Sequence, residues 1–346
     1  MPTRHVTPNR NPRRRLAWAG AFTGFYPTSA AELSTFGPIT RFLYAARSVI
    51  LVISAQAALI AGLLAATDRR FQPVPFLLLF IAFVVLHAIS NISNDYFGFR
   101  RGHDTPESPR RRYTLHPIAS GVVSPRALAV GIGILGTVAL LIGGYFIFLR
   151  GWTAAALAIA GAGLLWGYDA APRALKELGL GEFAAFIVWG PLMIGGGYYV
   201  LTGTWSAAAF LAAVPYGLGV SSILVGKHID QRGYDAGHGQ RTLPVLLGAT
   251  TARRLTIGMI IAMYAAVVAA VASGLLSVAT LVVFLAAPRA MRALRVLSRP
   301  APEQPPPGYI GWPLWFHRVC LVHNRLYGWL FLAGLAVGAL WPGSVL

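Results

Sequence analysis

The sequence predicts an all-α polytopic membrane protein, with about nine transmembrane helices bundled around a central cavity. Three observations predict it. Hydrophobic residues make up 56% of the 346 residues and charged residues only 12%, about half the charge fraction of a soluble domain. Mean hydropathy is +0.61. The apolar residues fall in runs close to the roughly 20 that one helix needs to cross hydrocarbon. Those runs lack the alternation of a barrel strand, and in lipid only helices or closed barrels satisfy the backbone.

Residues 1–40 are basic and Pro-rich, with no signal-peptide core before Ala17, and read as a poorly ordered cytoplasmic arm. Residues 41–346 then form the membrane domain, with spans at 42–66, 75–97, 127–149, 152–167, 182–201, 207–226, 255–273, 276–294 and 326–340. With Arg4, Arg10, Arg13, Arg14 and Arg15 of the arm in the cytoplasm, the even-numbered spans return to that side. The loops there carry Arg100, Arg101, Arg110, Arg111, Arg112 and Arg126, then Arg173 and Lys176, then Lys227, Arg232, Arg241, Arg253 and Arg254, then Arg295, Arg299 and Arg318. The opposite loops are short and nearly uncharged apart from Arg69 and Arg70, so the positive-inside rule sets the orientation. The net charge of +18 is therefore a membrane-surface feature and not a nucleic-acid footprint. Residues 298–307 are a Pro-rich connector. Cys320 is alone, so no intramolecular disulfide forms.

Only six aspartates occur, and four of them lie in two clusters at the ends of the second and sixth spans. Ionisable groups beside lipid are costly and mark function by default. In the first cluster Asn91, Asn94 or Asp95, and Gly98 are three to four residues apart and share a helical face. His87 lies one turn earlier and reads as packing; Gly102 ends the helix and Asp104 follows. In the second, Asp230 and Asp235 are five apart, off one face of a continuous helix, so a break at Gly233 is expected to turn both toward one cavity. An even number of spans separates the clusters, which puts both on one side, where their oxygens suit magnesium. Lys227 and Arg241 beside them suit a diphosphate. Asp169, Arg173 and Lys176 have an ordinary reading as loop charges. No P-loop, His-Glu-x-x-His or Gly-x-Ser-x-Gly occurs.

Asn94-Asp95-Tyr96-Phe97 with Gly102-His103-Asp104 resembles the first Asp-rich motif of the UbiA superfamily of intramembrane prenyltransferases, closest to its 1,4-dihydroxy-2-naphthoate polyprenyltransferase branch. Asp230 to Asp235, followed by 239–248, resembles the second motif, and Tyr168 to Pro172 with 178–182 resembles the segment between the fourth and fifth helices. Two positions depart from the pattern: Gly98 stands where a further Asp is usual, and four residues instead of three separate Asp230 from Asp235. The resemblance implies magnesium-dependent transfer of a polyprenyl group from its diphosphate to an aromatic acceptor, in quinone (menaquinone-type) synthesis. It implies Asn91, Asp95, Asp104, Asp230 and Asp235 as metal ligands and Lys227 as a catalytic cation. Arg47, Asn91, Asn94, Tyr168, Arg173, Lys176 and Arg241 would bind substrate. Asp104 or a diphosphate oxygen would take the ring proton. A carotenoid, a phenol or a lipid headgroup remains open as acceptor, and a cation-coupled transporter is the reading from another class.

Overall fold

The computed structural model describes residues 17–24, 29–309 and 311–341; Arg4, Arg10, Arg13, Arg14 and Arg15 lie outside the described residues. Among the described residues nine long helices follow one another: α1 (Ser48–Thr67), α2 (Pro73–Arg100), α3 (Pro125–Arg150), α4 (Trp152–Asp169), α5 (Gly181–Thr202), α6 (Ala207–Gly237), α7 (Ala249–Ala272), α8 (278–297) and α9 (Phe316–Leu340). No strand occurs among the described residues. Seven of these helices, all but α4 and α8, are long and apolar enough to cross a membrane. Length and composition therefore support seven of the expected nine spans and do not confirm the count of nine. Helix α4 has 18 residues and ends on the polar Gly-Tyr-Asp. Helix α8 opens as a 3₁₀ stretch and continues through a segment carrying Arg289, Arg292 and Arg295.

Local sequence sets the ends. Pro73 and Pro125 occupy first-turn positions, where a missing N–H is harmless. Ser124 and Ser206 cap α3 and α6 by accepting from Ala127 N and Ala209 N. Gly151, at φ 66°, turns α3 directly into α4. Pro191 sits inside α5 in a π-helical stretch over Val188–Gly196, the wider turn that accommodates its ring and lost N–H.

Helix α6 is the axis of the bundle, packing on α1, α5, α7 and α9, while α2 packs on α1 and α3. Small residues allow the closest approach: a Cβ on Gly217 would stand 3.0 Å from Gly190 Cα and 2.8 Å from Phe186 O. Outward surfaces are apolar; Leu140, Leu141 and Phe148 of α3 are 77%, 71% and 91% exposed, as lipid contact requires.

Two further expectations change. Within residues 1–40, helices Ala17–Thr23 and Ala30–Ser34 are formed, and Ala21 and Leu33 are buried with Tyr44 and Ile118, so this part of the arm is packed. Helix α6 is not broken at Gly233 but runs on to Gly237. A helical Gly costs only about 1 kcal/mol, and Tyr234 in that extension is anchored: its hydroxyl donates to His103 O at 2.6 Å.

Candidate active site

The same Tyr234 joins the two acidic clusters. Its hydroxyl lies 2.9 Å from Thr105 Oγ1 as well, and Gln231 Nε2 donates to Tyr113 OH at 3.1 Å. The loop after α2 and the end of α6 thus meet at one end of the bundle, as the even number of helices from α3 to α6 requires.

Asp95 is fully buried. Arg110 grips it with both guanidinium nitrogens, Nη2 at 2.6 Å from Oδ2, and Arg47 Nη2 bonds Oδ1. Arg47 follows the short helix Pro38–Ala45 in a left-handed conformation, φ 54°, which costs a non-glycine residue about 1–3 kcal/mol. Asn91 holds that turn in place by donating to Ala46 O at 2.9 Å. Asn94 Nδ2 donates to Asp169 Oδ1 at 3.1 Å, and Lys176 Nζ lies 2.7 Å from the same oxygen. Asp169 is fully buried, and its Oδ2 has no hydrogen-bond partner.

Asp104 stands beside Gly98: a Cβ there would lie 2.6 Å from Asp104 Oδ2. The loop carboxylate therefore occupies the space that a side chain at position 98 would need. Oδ2 is 3.1 Å from His116 Nε2. His116 Nδ1 accepts from Ile118 N and Ala119 N, so the neutral ring carries its proton on Nε2, the nitrogen beside Asp104. Burial pushes the Asp104 carboxyl up, but the His116 hydrogen bond and charge, with Lys176 and Arg47, outweigh it and hold the group below its usual value. Burial also lowers His116, against the opposing pull of Asp104.

The second cluster divides. Five residues along a continuous helix rotate a side chain by about 140°, and Asp230 and Asp235 part accordingly. Asp230 Oδ1 and Oδ2 accept from Phe316 N at 3.0 Å and His317 N at 2.9 Å, so this carboxylate caps the start of α9. Asp235 is buried and accepts from Thr242 Oγ1 at 3.3 Å. Nearby, Glu182 Oε1 lies 2.6 Å from His228 Nδ1 and accepts from Leu243 N, while Glu182 Oε2 is buried without a partner.

Several of these groups reach a cavity of about 750 Å³. Arg47, Asn91, Asn94, Arg110, Tyr168 and Lys227 line its polar end; Phe83, Phe146, Leu157, Leu192 and Val200 line the apolar remainder. Arg173 and Arg241 are exposed and outside the lining. Arg47 and Arg110 pair with Asp95 and Lys176 with Asp169, while Lys227 joins the two arginines in the lining, a set of cations that suits a polyanion.

Among the described residues, no three His, Cys, Asp or Glu side chains form a ready-made metal cluster. Magnesium does not need one. It binds through one or two carboxylates and takes its remaining oxygens from water and phosphate. Asp169 Oδ2 and Glu182 Oε2, buried and unpartnered, are oxygens left for a cation. The donor set fits a metal that takes part of its shell from a bound ligand or water.

Sequence reasoning missed three parts of this site. Arg110 was hidden in the run Arg110-Arg111-Arg112, of which only Arg110 is buried. Tyr113 gave no signal. Asp169 passed for a loop charge, although its type is rare in the chain and was itself the available clue.

A model of the UbiA prenyltransferase family matches residues 55–317. The 1,4-dihydroxy-2-naphthoate octaprenyltransferase of Haemophilus influenzae is 29% identical over 194 residues, which are 54% of this chain and 62% of that protein. The apo structure of a UbiA homologue from Aeropyrum pernix K1 superposes with a TM-score of 0.61 at 18% identity, covering 83% of this chain and 97% of that one. A UbiA homologue from Archaeoglobus fulgidus, bound to GPP and Mg2+, gives 0.54 at 13% identity, covering 86% and 100%.

Proposed function

Because the chain belongs to the UbiA prenyltransferase family, we propose that it transfers a polyprenyl group from polyprenyl diphosphate to an aromatic acceptor, with magnesium, in quinone (menaquinone-type) synthesis. One observation carries the reading: Arg47, Arg110 and Lys227 line the polar end of a largely apolar cavity, with buried Asp95 paired to the two arginines and buried Asp169 to Lys176. The relative named as a 1,4-dihydroxy-2-naphthoate octaprenyltransferase supports the acceptor class, and the homologue bound to GPP and Mg2+ supports the donor and metal. The chain spans 62% of the Haemophilus protein's length, so acceptor and pathway are part of the proposal.

Arg47, Arg110, Lys176 and Lys227 hold the diphosphate and take up the negative charge that builds on it as the allylic C–O bond breaks. Arg47 and Arg110 exchange Asp95 for phosphate oxygens, which frees that carboxylate. Asp95, Asp169 and Asp235, with Asn91, Asn94 and Asp104, would hold magnesium, which when bound adds Lewis-acid stabilisation of the leaving group. Asp230 is left to its cap on α9. The apolar walls exclude water from the allylic cation and receive the isoprenoid tail. A ring carbon of the acceptor attacks the allylic carbon, and its proton leaves to Asp104 or a diphosphate oxygen. The Lys and Arg asymmetry of the loops supports a cytoplasmic orientation for this end, with residues 1–40 as a basic arm on the same side.

The test is to incubate purified protein with magnesium, labelled polyprenyl diphosphate and a panel of aromatic acids and phenols. Magnesium-dependent prenylated product, lost in Asp95→Ala, is expected. Intact donor in every mixture, with cation flux through proteoliposomes, would point to a transporter instead.

A further inference from the structure

His87 lies on α2 one turn before Asn91 and, like it, lines the cavity. It is 7% exposed. Its Nδ1 is 2.9 Å from Ser54 Oγ on α1, and Ser54 Oγ receives the indole N–H of Trp189 on α5, also at 2.9 Å. The Trp189 ring meets the imidazole edge to face, with centroids 5.1 Å apart. Three helices therefore hold one ring. The indole is a donor only, so Ser54 accepts from it; the Ser54 O–H meets no other acceptor among the described residues and goes to His87 Nδ1. The proton of the neutral imidazole is then on Nε2, and no acceptor for it occurs among the described residues.

That N–H belongs to a cavity-lining ring, where a ligand oxygen can meet it. An isoprenoid tail has no oxygen to offer it. At about 1.5 Å of rise per residue, His87 lies about 6 Å deeper in the cavity than Asn91, one aromatic ring beyond the layer of cations. Resting on the prenyl-transfer reading, we infer that His87 Nε2–H binds a ring oxygen of the aromatic acceptor. Ser54 and Trp189 are positioning residues that fix the imidazole's tautomer and tilt. The bond sets which ring carbon stands within the roughly 3–3.5 Å of the allylic carbon that attack requires. The ligand class is a hydroxylated aromatic ring, so a plain hydrocarbon acceptor is excluded.

The test compares wild type, His87→Ala, His87→Gln and Ser54→Ala, using 1,4-dihydroxy-2-naphthoate and its two analogues that each lack one hydroxyl, at saturating donor. His87→Ala is expected to raise the acceptor KM about five- to twentyfold, the worth of one hydrogen bond, and to leave the donor KM unchanged. Loss of one particular hydroxyl should raise the wild-type KM by a similar factor and the His87→Ala KM not at all. The amide N–H of His87→Gln should restore part of the difference. Donor and acceptor KM rising together, or equal sensitivity of wild type and His87→Ala to both hydroxyls, would overturn the inference. If His87→Ala does not fold, Ser54→Ala decides: the imidazole stays but loses its anchor, so a rise confined to the acceptor KM supports the role, and no rise refutes it. A wild-type protein that prenylates no aromatic acid overturns the transfer reading and this inference with it, whereas active wild type with an unaffected His87→Ala overturns the inference alone.

Discussion

Gly98→Ala is a sharp perturbation of the site, because its two effects have opposite signs. Gly98 lies in the last turn of α2, where alanine would stabilise the helix by about 1 kcal/mol at most. Against that gain, the new Cβ would stand 2.6 Å from Asp104 Oδ2, the oxygen that lies 3.1 Å from His116 Nε2. The loop cannot simply recede, since His103 N donates to Gly98 O at 3.0 Å and holds the backbone against the helix end. The carboxylate must rotate away, and a hydrogen bond to a charged group is worth about 1.5–3 kcal/mol. Loss exceeds gain, so Gly98→Ala is expected to destabilise by about 0.5–2 kcal/mol. In an Asp104→Ala background the obstacle is gone, and the same substitution should become neutral or stabilising. Urea melts of the four proteins in detergent give the double-mutant cycle. Equal effects of Gly98→Ala in both backgrounds would refute the claim that Asp104 fills the space left at position 98.

Asp230→Ala should leave the N–H groups of Phe316 and His317 without their acceptor and cost about 1–3 kcal/mol in melting experiments. The folded protein should keep its donor KM; a complete loss of transfer without loss of stability would return Asp230 to the metal site. Gly217→Ala, whose Cβ meets backbone at 2.8 Å, should destabilise by about 1–3 kcal/mol. Gly133→Ala in α3, which has open space around it, should be neutral or slightly stabilising, and equal effects in the two melts would contradict the close approach of α5 and α6. Both Asp104 and His116 are held below their usual values of 3.8 and 6.5. The unfolded chain therefore binds more protons at these groups, and their contribution is present above the ordinary values and is lost as pH falls through the lowered ones. Melting midpoints followed downward from pH 7 should fall more steeply in wild type than in an Asp104→Asn, His116→Gln double variant, and parallel curves would contradict the pairing.

The membrane class and the order of helices were legible because apolar runs of bilayer length are a strong signal and loop charges alternate. Helix ends were not. Helix α9 begins ten residues before the expected Leu326, at Phe316, because Asp230 from α6 satisfies its first N–H groups, a contact that no local pattern encodes. The convergence of the acidic clusters followed from counting spans. The partners of each carboxylate did not: Asp95 faces Arg110 rather than Asp230, and the choice among Arg110, Arg111 and Arg112 depends on which one folds inward. The expected break at Gly233 failed for a related reason, since the tertiary anchor of Tyr234 outweighs a glycine's small helix penalty. Asp169 was visible only as a rare residue at the end of a helix.

The claim that the mouth of the cavity grips a diphosphate through cations and a metal is tested most directly by equilibrium binding, without turnover. An unreactive thio-linked analogue of a polyprenyl diphosphate can be titrated into purified protein by calorimetry, with magnesium and then with a chelator. Tight binding with magnesium is expected, weakened at least about tenfold by the chelator, by Asp169→Ala and by Lys227→Ala, since each removes about 1.4 kcal/mol or more of charge pairing. Binding of equal strength in all four titrations would contradict the account.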